Sequence, residues 1–198
     1  MKDCEFTQLF YITHLDNLES ILEKGILSHA RAQRLPHKKI DMWEVQERRK
    51  TKRVPQGKML HEYANLYFSA RNPMLYKRKG EHNDICVLRV KKEVLNISGV
   101  VITTGNAASE YVAFYPPETG IEKLNRAWIF AKDWTDPNPK VEAQKRVAKC
   151  AEVLIPDCVT PSLIFGAYVL TKECQMELAK KFTGLFIEQN PIIFFKND

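Results

Sequence analysis

The sequence of 198 residues lacks most of the short motifs from which a function is usually assigned. Its eight glycines are scattered, and neither G-x-x-x-x-G-K nor G-x-G-x-x-G occurs, which disfavours a P-loop or Rossmann nucleotide site. A G-x-S-x-G hydrolase motif is also absent. The sequence has no run of 18 apolar residues, so it predicts no membrane span. The polar N-terminus does not resemble a signal peptide. We therefore expect a cytoplasmic protein.

Cysteine and histidine are few and are badly spaced for metal binding. The five cysteines include no C-x-x-C pair, and the five histidines include no H-x-x-x-H or H-E-x-x-H pattern. An odd number of widely spaced cysteines also argues against a disulfide framework. We expect neither a bound metal nor a disulfide-stabilised fold.

Positive charge is concentrated in one segment, residues 31–58. It holds ten basic and three acidic residues, a net charge of +7, within a chain whose total is +6, so the other 170 residues sum to −1. Such a patch is typical of proteins that bind a polyanion. The alternative is a solvated lysine-rich face without a partner.

The pattern of apolar residues predicts one α+β domain over residues 1–198, because the strands are not joined by regular helices. Asp16 is the expected N-cap of the first helix and Gly25 its C-terminal stop. Helices are also predicted over 41–50 and 172–182, the latter capped by Thr171. Strands are predicted over 9–13, 66–70, 85–90, 100–103, 128–130, 150–155, 163–170 and 192–195.

Glu152 interrupts an otherwise apolar strand. Alternation places it on one face with Cys150 and Leu154. An ionised carboxylate there is costly unless a cation or hydrogen-bond donors meet it. It is either a working acid or the partner of a structural arginine, since both situations perturb carboxylates.

Two adjacent arginines in the basic segment face different ways on the predicted helix. Arg48 stands four residues after Glu44 on the solvent side, whereas Arg49 follows the stripe of Met42 and Val45. An inward arginine requires a carboxylate or phosphate, and Glu152 is a candidate partner. These residues alone leave a nuclease, a transferase and a binding module open.

Four segments carry a more specific signal. They are 11–18 (YITHLDNL), 46–49 (QERR), 60–76 with its LHEY and RNPMLY ends, and 145–154 (KRVAKCAEVL). In this order and spacing they resemble the DarT family of DNA ADP-ribosyltransferase toxins. A weaker match is 103–109 (TTGNAAS). The resemblance implies the ADP-ribosyltransferase fold, two split sheets of antiparallel type flanked by helices, with NAD in the cleft.

The resemblance also implies an activity, the transfer of ADP-ribose from NAD to a base, thymine in the most studied branch, in single-stranded DNA. Glu152 then matches the catalytic glutamate and Arg49 the arginine needed for activity. The positions that match the NAD site are Thr13, His14, Asn17, Gly25, Tyr67 and Arg71. Those expected to contact nucleic acid are Arg48, Lys52, Met74, Tyr76, Asn106, Lys145 and Arg146. Asn106 falls near the sequence position at which some relatives have a histidine that contacts the DNA.

By the same resemblance the chain is expected to be a toxin paired with an antitoxin, a macrodomain that removes ADP-ribose. Nothing in the sequence indicates an oligomer, and a monomer is the default expectation. Three alternatives stay open. In the first, the fold is the same but the acceptor is guanine, RNA or protein. In the second, the chain is a metal-dependent nuclease that uses Asp84, Glu110 and Glu152. In the third, it is a non-catalytic DNA-binding module.

Overall fold

The computed structural model describes residues 7–196. Its strands are β1 (Gln8–His14), β2 (Ile26–Leu27), β3 (Tyr63–Tyr67), β4 (Ile85–Lys91), β5 (Val101–Thr103), β6 (Phe114–Tyr115), β7 (Glu152–Pro156), β8 (Cys158–Val159), β9 (Ile164–Val169) and β10 (Phe186–Gln189). Its helices are α1 (Leu18–Lys24), α2 (His29–Ala32), α3 (Trp43–Lys50), α4 (Pro73–Lys77), α5 (Pro117–Lys123), α6 (Arg126–Ile129), α7 (Pro139–Ala148) and α8 (Lys172–Lys181). Within the described residues, no helix has the length and apolar character needed to cross a membrane.

Eight strands form one sheet in the order β10-β9-β4-β1-β3-β7-β5-β6, and β2 pairs with β8 separately. Among the strand pairs of residues 7–196, only β10 and β9 run parallel. The sheet divides in the middle, because β1 and β3 share a single registered pair, Phe10 with Tyr67. On either side of that junction, β1 pairs with β4 along its whole length and β3 with β7 along its whole length. The split α+β arrangement predicted from the sequence is confirmed.

Both faces of the central strands are buried. On β4, the side chains of Cys86, Leu88 and Val90 join the larger apolar cluster, whereas Ile85 and Val87 join a second cluster on the opposite face. Strands covered on both faces read as near-continuous apolar runs, and residues 85–90 are apolar apart from Arg89. One apolar cluster therefore packs on each face of β4.

Two predicted strands are wrong, and a third, predicted over 66–70, is displaced because the strand is β3, Tyr63–Tyr67. Residues 128–130 lie at the end of helix α6, whose N-cap Asn125 accepts a hydrogen bond from the amide of Trp128. Residues 192–195 form turns, and they are apolar because Phe194 is fully buried in the second cluster. The last strand is β10, which packs beside β9 at the edge of the sheet.

The start of the first helix also differs from the prediction. Asp16 lies inside a 3-10 turn, Leu15–Asn17, and the side chain that caps this turn belongs to His14. Its Nδ1 accepts a hydrogen bond from the amide of Asp16. The predicted stop at Gly25 and the predicted cap at Thr171 are confirmed.

Candidate active site

A cavity of about 760 Å³ opens where the two halves of the sheet part. Strands β1, β3 and β7 supply its floor, and α3, α4, α7 and the loop over residues 104–113 supply its walls. Residues that line it include Thr13, Asn17, Asp41, Gln46, Arg48, Arg49, Tyr67, Met74, Asn106, Tyr111, Arg146 and Glu152. Its size is that of a cavity for a nucleotide-sized ligand.

Glu152 and Arg49 meet in this cavity. Glu152 begins β7 and is 1% exposed, and Arg49 in the last turn of α3 is 6% exposed. The Arg49 Nη1 lies 3.1 Å from Oε1 and 3.0 Å from Oε2 of Glu152. The amide of Ala107 donates to Oε1 at 3.0 Å. The cation and the donor that the buried carboxylate requires are therefore both present, as the sequence predicted for Arg49.

The peptide at Glu152 is held in place from a neighbouring strand. The amide of Glu152 donates to Oγ1 of Thr103 on β5 at 3.0 Å, and that hydroxyl donates to the carbonyl of Gly105 at 2.6 Å. A Cβ at Gly105 would overlap the Val147 side chain of α7, so the loop packs closely there. One hydrogen-bonded chain thus links β7 to the loop that carries Ala107.

Two half-buried tyrosines complete the cavity floor. Tyr67 stands opposite Glu152 in register, and burial together with the Glu152 charge raises the pKa of its phenol well above the usual range. Burial raises the pKa of Tyr11 to about 12, with a contribution from Asp41. Both phenols are therefore neutral hydrogen-bond donors at any physiological pH.

Three of the six residues assigned to NAD binding from the resemblance line the cavity: Thr13, Asn17 and Tyr67. The Asn17 side chain donates to Oγ1 of Thr13 at 3.1 Å and to the Lys38 carbonyl at 2.8 Å, and it accepts from the Lys38 amide at 2.8 Å. Asn17 therefore fixes the segment that follows α2 against the cavity. His14 is half-buried beside this wall, with its ring bonded to the chain at Asp16.

Arg71 lies away from the cavity lining, where its guanidinium holds backbone carbonyls. Nε donates to the Lys132 carbonyl at 2.7 Å, and Nη1 donates to the Ile192 carbonyl. The guanidinium also stacks over the Phe195 ring at 4.1 Å. In this structure Arg71 joins the loop after α6 to the C-terminal turns.

Gly25 has a backbone reason for being glycine. Its φ is +88°, and a Cβ would overlap the carbonyl oxygen of Val159 on β8. We expect Gly25→Ala to destabilise the protein by roughly 3 kcal/mol or more, because strain and overlap add. Urea unfolding measures this, with Gly184→Ala as the matched control, since no atom lies within 4 Å of the added methyl there. A Gly25→Ala protein as stable as the native one, but unable to bind NAD, would favour the cofactor role instead.

Four of the seven residues predicted to contact nucleic acid also line the cavity: Arg48, Met74, Asn106 and Arg146. The other three bond elsewhere. Lys52 donates to the Ser109 carbonyl and lies 5.5 Å from the Phe114 ring, and Lys145 pairs with Asp136 at 2.8 Å. The Tyr76 ring contacts the rings of Trp134 and Phe195 edge-on, and is 41% exposed.

Some residues that shape the site were missed. Lys149, in a lysine-rich stretch that looks solvent-exposed, is 1% exposed, and burial lowers its pKa to about 8. Its Nζ donates to the carbonyls of Ile129 at 3.1 Å and of Ala131. Its position three residues before Glu152, beside a buried strand, could have indicated that Lys149 is buried. The amide of Ala107 offered no signal, because backbone donors carry no sequence mark.

A histidine pair packed against α3 was also missed. The rings of His29 and His61 lie 4.1 Å apart, His61 Nε2 lies 3.1 Å from Gln46 Oε1, and His29 Nδ1 lies 4.0 Å from Asp41. Burial lowers the pKa of both rings, and the charge of Arg49 lowers each further. Lys39 and His37 act in the same direction on His29, against Asp41.

We expect this pair to make stability depend on pH. Well above the ordinary histidine pKa of 6.5 both rings are neutral whether the chain is folded or not. As pH falls below that value the unfolded chain binds protons first, so the free energy of unfolding decreases. Denaturant unfolding at about pH 7.5 and about pH 5.5 measures the loss. The double variant His29→Asn/His61→Gln should flatten the difference, and an unchanged slope would contradict the assignment.

Among residues 7–196, no group of three or more His, Cys, Asp or Glu side chains is arranged to hold a metal ion. The carboxylates named for a nuclease, Asp84, Glu110 and Glu152, do not form such a group. Glu152 instead has Arg49 as its charged partner.

Comparison with known proteins agrees with this geometry. The family described as "ssDNA thymidine ADP-ribosyltransferase, DarT" matches residues 10–197. A DNA ADP-ribosyl transferase-DNA ADP-ribosyl glycohydrolase fusion protein of Thermosipho africanus is 35% identical over 197 residues, covering 96% of this chain and 50% of the fusion. The chain thus spans about half the length of that relative. A Thermus sp. DNA ADP-ribosyl transferase is 29% identical over 98% of this chain and 96% of its own length.

Solved structures match the whole architecture. Thermosipho africanus DarTG in complex with ADP-ribose superposes with a TM-score of 0.82 at 33% identity, covering 96% of this chain and 51% of that one. Thermus sp. 2.9 DarT in complex with ADP-ribosylated ssDNA gives 0.84 at 25% identity, with 98% and 99% covered. The ADP-ribosyltransferase fold expected from the sequence is confirmed, and the chain belongs to the DarT family.

Proposed function

We propose that this chain is an NAD-dependent mono-ADP-ribosyltransferase that modifies thymine in single-stranded DNA. The observation that carries the proposal is the buried Glu152–Arg49 pair, held in a cavity of nucleotide size at the split of the sheet. Family membership supports it, as do two related structures at 33% and 25% identity, one with ADP-ribose and the other with ADP-ribosylated ssDNA.

The reaction breaks the bond between nicotinamide and the ribose, and nicotinamide leaves with the bonding electron pair. The sugar then carries positive charge, so its stabilisation is largely electrostatic. Glu152 supplies the negative charge. Its carboxylate accepts hydrogen bonds from Ala107 and Arg49, which fix its direction before substrate arrives. A preorganised carboxylate in a low-dielectric site is worth more than the same group in water.

The new bond forms between the ribose carbon and a ring nitrogen of the base, which loses a proton. In this proposal Glu152 accepts that proton as general base. Arg49 holds the base and stabilises the negative charge that develops on it as the nitrogen is deprotonated. Because pairing buries that nitrogen in a duplex, a single strand is the expected acceptor.

Around the reacting pair, the chain supplies places for the rest of both substrates. Thr13, Asn17 and Tyr67 line the cavity and are our candidates for NAD contacts. His14, Gly25 and Arg71 lie outside the cavity lining and are candidates through the family resemblance alone. Arg48, Met74, Asn106 and Arg146 line the same cavity and are our candidates for DNA contacts, joined outside it by Lys52, Tyr76 and Lys145.

The biological setting is part of the proposal. The Thermosipho relative joins a DNA ADP-ribosyl transferase to a DNA ADP-ribosyl glycohydrolase in one chain. This pairing supports a toxin whose antitoxin, a macrodomain, removes the ADP-ribose. We further propose that residues 1–198 form one domain, that the protein is a monomer, and that it acts in the cytoplasm, where its DNA substrate would be.

Mass spectrometry of a short single-stranded DNA oligonucleotide incubated with the protein and NAD tests the reaction. We expect a mass gain of one ADP-ribose on a thymine, and none with Glu152→Ala. A gain on guanine, on a matched RNA or on protein would change the acceptor. Cleavage that depends on a divalent metal would indicate a nuclease. Binding that is equal in native and Glu152→Ala proteins, without NAD consumption, would indicate a non-catalytic module.

A further inference from the structure

The loop over residues 104–113 is closed at its base by two hydrogen bonds. The amide of Thr104 donates to the Ala113 carbonyl at 3.1 Å, and the amide of Ala113 donates to Oγ1 of Thr104 at 3.2 Å. Within it, the Ser109 amide bonds the Asn106 carbonyl at 2.8 Å. Because Ala107 in the same loop bonds Glu152, the loop is fixed relative to the reacting carboxylate.

Tyr111 stands at the outer end of this loop. It lines the cavity and is nevertheless 93% exposed, so it lies at the cavity's open edge. No other large apolar or aromatic side chain in residues 7–196 is as exposed; Trp43 follows at 73%. An aromatic ring presented to water on an anchored loop gains nothing for the folded chain itself. It is placed for a ligand that enters the cavity.

The charges that share the cavity wall indicate the chemical class of that ligand. Six cations line the cavity, namely Lys38, Lys39, Arg48, Arg49, Lys77 and Arg146. Three acids accompany them, Asp41, Glu110 and Glu152. Arg48, Lys77 and Arg146 are exposed and lie on α3, α4 and α7. A net positive rim with a free aromatic ring is the arrangement by which proteins bind single-stranded nucleic acid.

We propose that Tyr111 is a base-stacking residue that holds a nucleotide flanking the target thymine at the cavity entrance. This inference rests on the proposed function, and it adds the place at which the DNA strand enters the cavity. Tyr111 belongs to the same closed loop as Ala107, whose amide donates a hydrogen bond to Glu152. The position of Tyr111 relative to Glu152 is therefore fixed. A strand that stacks on Tyr111 is thereby set in register with the reacting pair.

The test measures the dissociation constant (Kd) for an oligonucleotide by fluorescence anisotropy and the KM for the same oligonucleotide in the transfer assay. We expect Tyr111→Ala to raise both by roughly ten-fold, since stacking of one base on an aromatic ring has about this effect. Tyr111→Phe and Tyr111→Trp should remain near native values. The KM for NAD, and any slow NAD hydrolysis without DNA, should not change. Phe186→Ala is the control, because Phe186 is 60% exposed but lies outside the cavity lining.

Single abasic sites placed along the oligonucleotide locate the base. In the native protein one flanking position should weaken binding as Tyr111→Ala does, and the two changes should not add, because they remove the same contact. Unchanged binding in Tyr111→Ala, an equal loss in Phe186→Ala, or full additivity at every position would overturn the proposal. A native protein that binds the oligonucleotide without modifying it would overturn the proposed function instead. Absence of both binding and modification would overturn both.

Discussion

Glu152→Gln is expected to reduce ADP-ribose transfer by roughly 1,000-fold or more, since it removes the charge that stabilises the developing cation on the ribose. Glutamine has nearly the same volume and its oxygen still accepts the hydrogen bond from Ala107, so the loop should keep its place. The loss would therefore belong to charge and proton transfer rather than to shape. Initial rates of product formation, followed by mass spectrometry with saturating NAD and oligonucleotide, measure it.

Stability must be measured on the same variant. Arg49 is buried beside Glu152, and neutralising one partner of a buried ion pair leaves the other charge uncompensated, which costs about 3–5 kcal/mol. The double variant Glu152→Gln/Arg49→Met removes both charges and should recover part of that stability while staying inactive. Thermal unfolding separates the two effects. Transfer by folded Glu152→Gln within ten-fold of the native rate would contradict the catalytic role.

The sequence was most informative where a buried strand carried a charge. Alternation in 150–155 put Ala151, Val153 and Ile155 on one face, and these three side chains lie in the larger core cluster. The same analysis of helix faces, applied to α3, predicted that Arg49 points inward, and Arg49 is the buried residue of that helix. Both predictions depend only on local periodicity and on the high cost of burying charge, so they did not require the fold.

What could not be predicted depends on contacts between distant segments. That the Ala107 amide meets Glu152 follows from the closure of the loop over 104–113, which no local pattern encodes. The strand predicted over 192–195 was wrong for the same reason, since Phe194 is apolar to fill a cluster and not to form a ladder. An apolar pattern predicts which residues are buried. Whether those residues form a strand, a helix or a turn depends on tertiary contacts that the pattern does not contain.

The basic segment shows both sides of this limit. Its charge predicted a polyanion surface, and Lys38, Lys39, Arg48 and Arg49 do line the cavity. Lys52, of the same segment, is instead bonded to the Ser109 carbonyl, and burial together with the charge of Arg49 lowers its pKa. Composition therefore located the patch, but only the fold separates the cations that face a ligand from those that support a loop.

Arg49→Lys is expected to lower the rate of transfer by roughly 100-fold while changing stability little. In the structure one nitrogen, Nη1, contacts both oxygens of Glu152, and a lysine ammonium can replace such a point contact. What lysine lacks is the planar set of further donors with which Arg49 would hold the edge of the base while still facing the carboxylate. The defect should therefore appear in the transfer rate more than in NAD affinity or in the free energy of unfolding.

Arg48→Lys is the matched control for that measurement, because Arg48 is the adjacent, exposed residue of the same helix and also lines the cavity. Lysine keeps the positive charge with which residue 48 would contact a DNA phosphate, so this variant should stay near the native rate. If Arg49 acts only as a structural partner of Glu152, the two lysine variants should transfer ADP-ribose at similar, near-native rates. If Arg49 holds the base, only its own variant should be slow. NAD hydrolysis without DNA should then persist in Arg49→Lys, because Glu152 still stabilises the charge on the ribose and only the acceptor has lost its place.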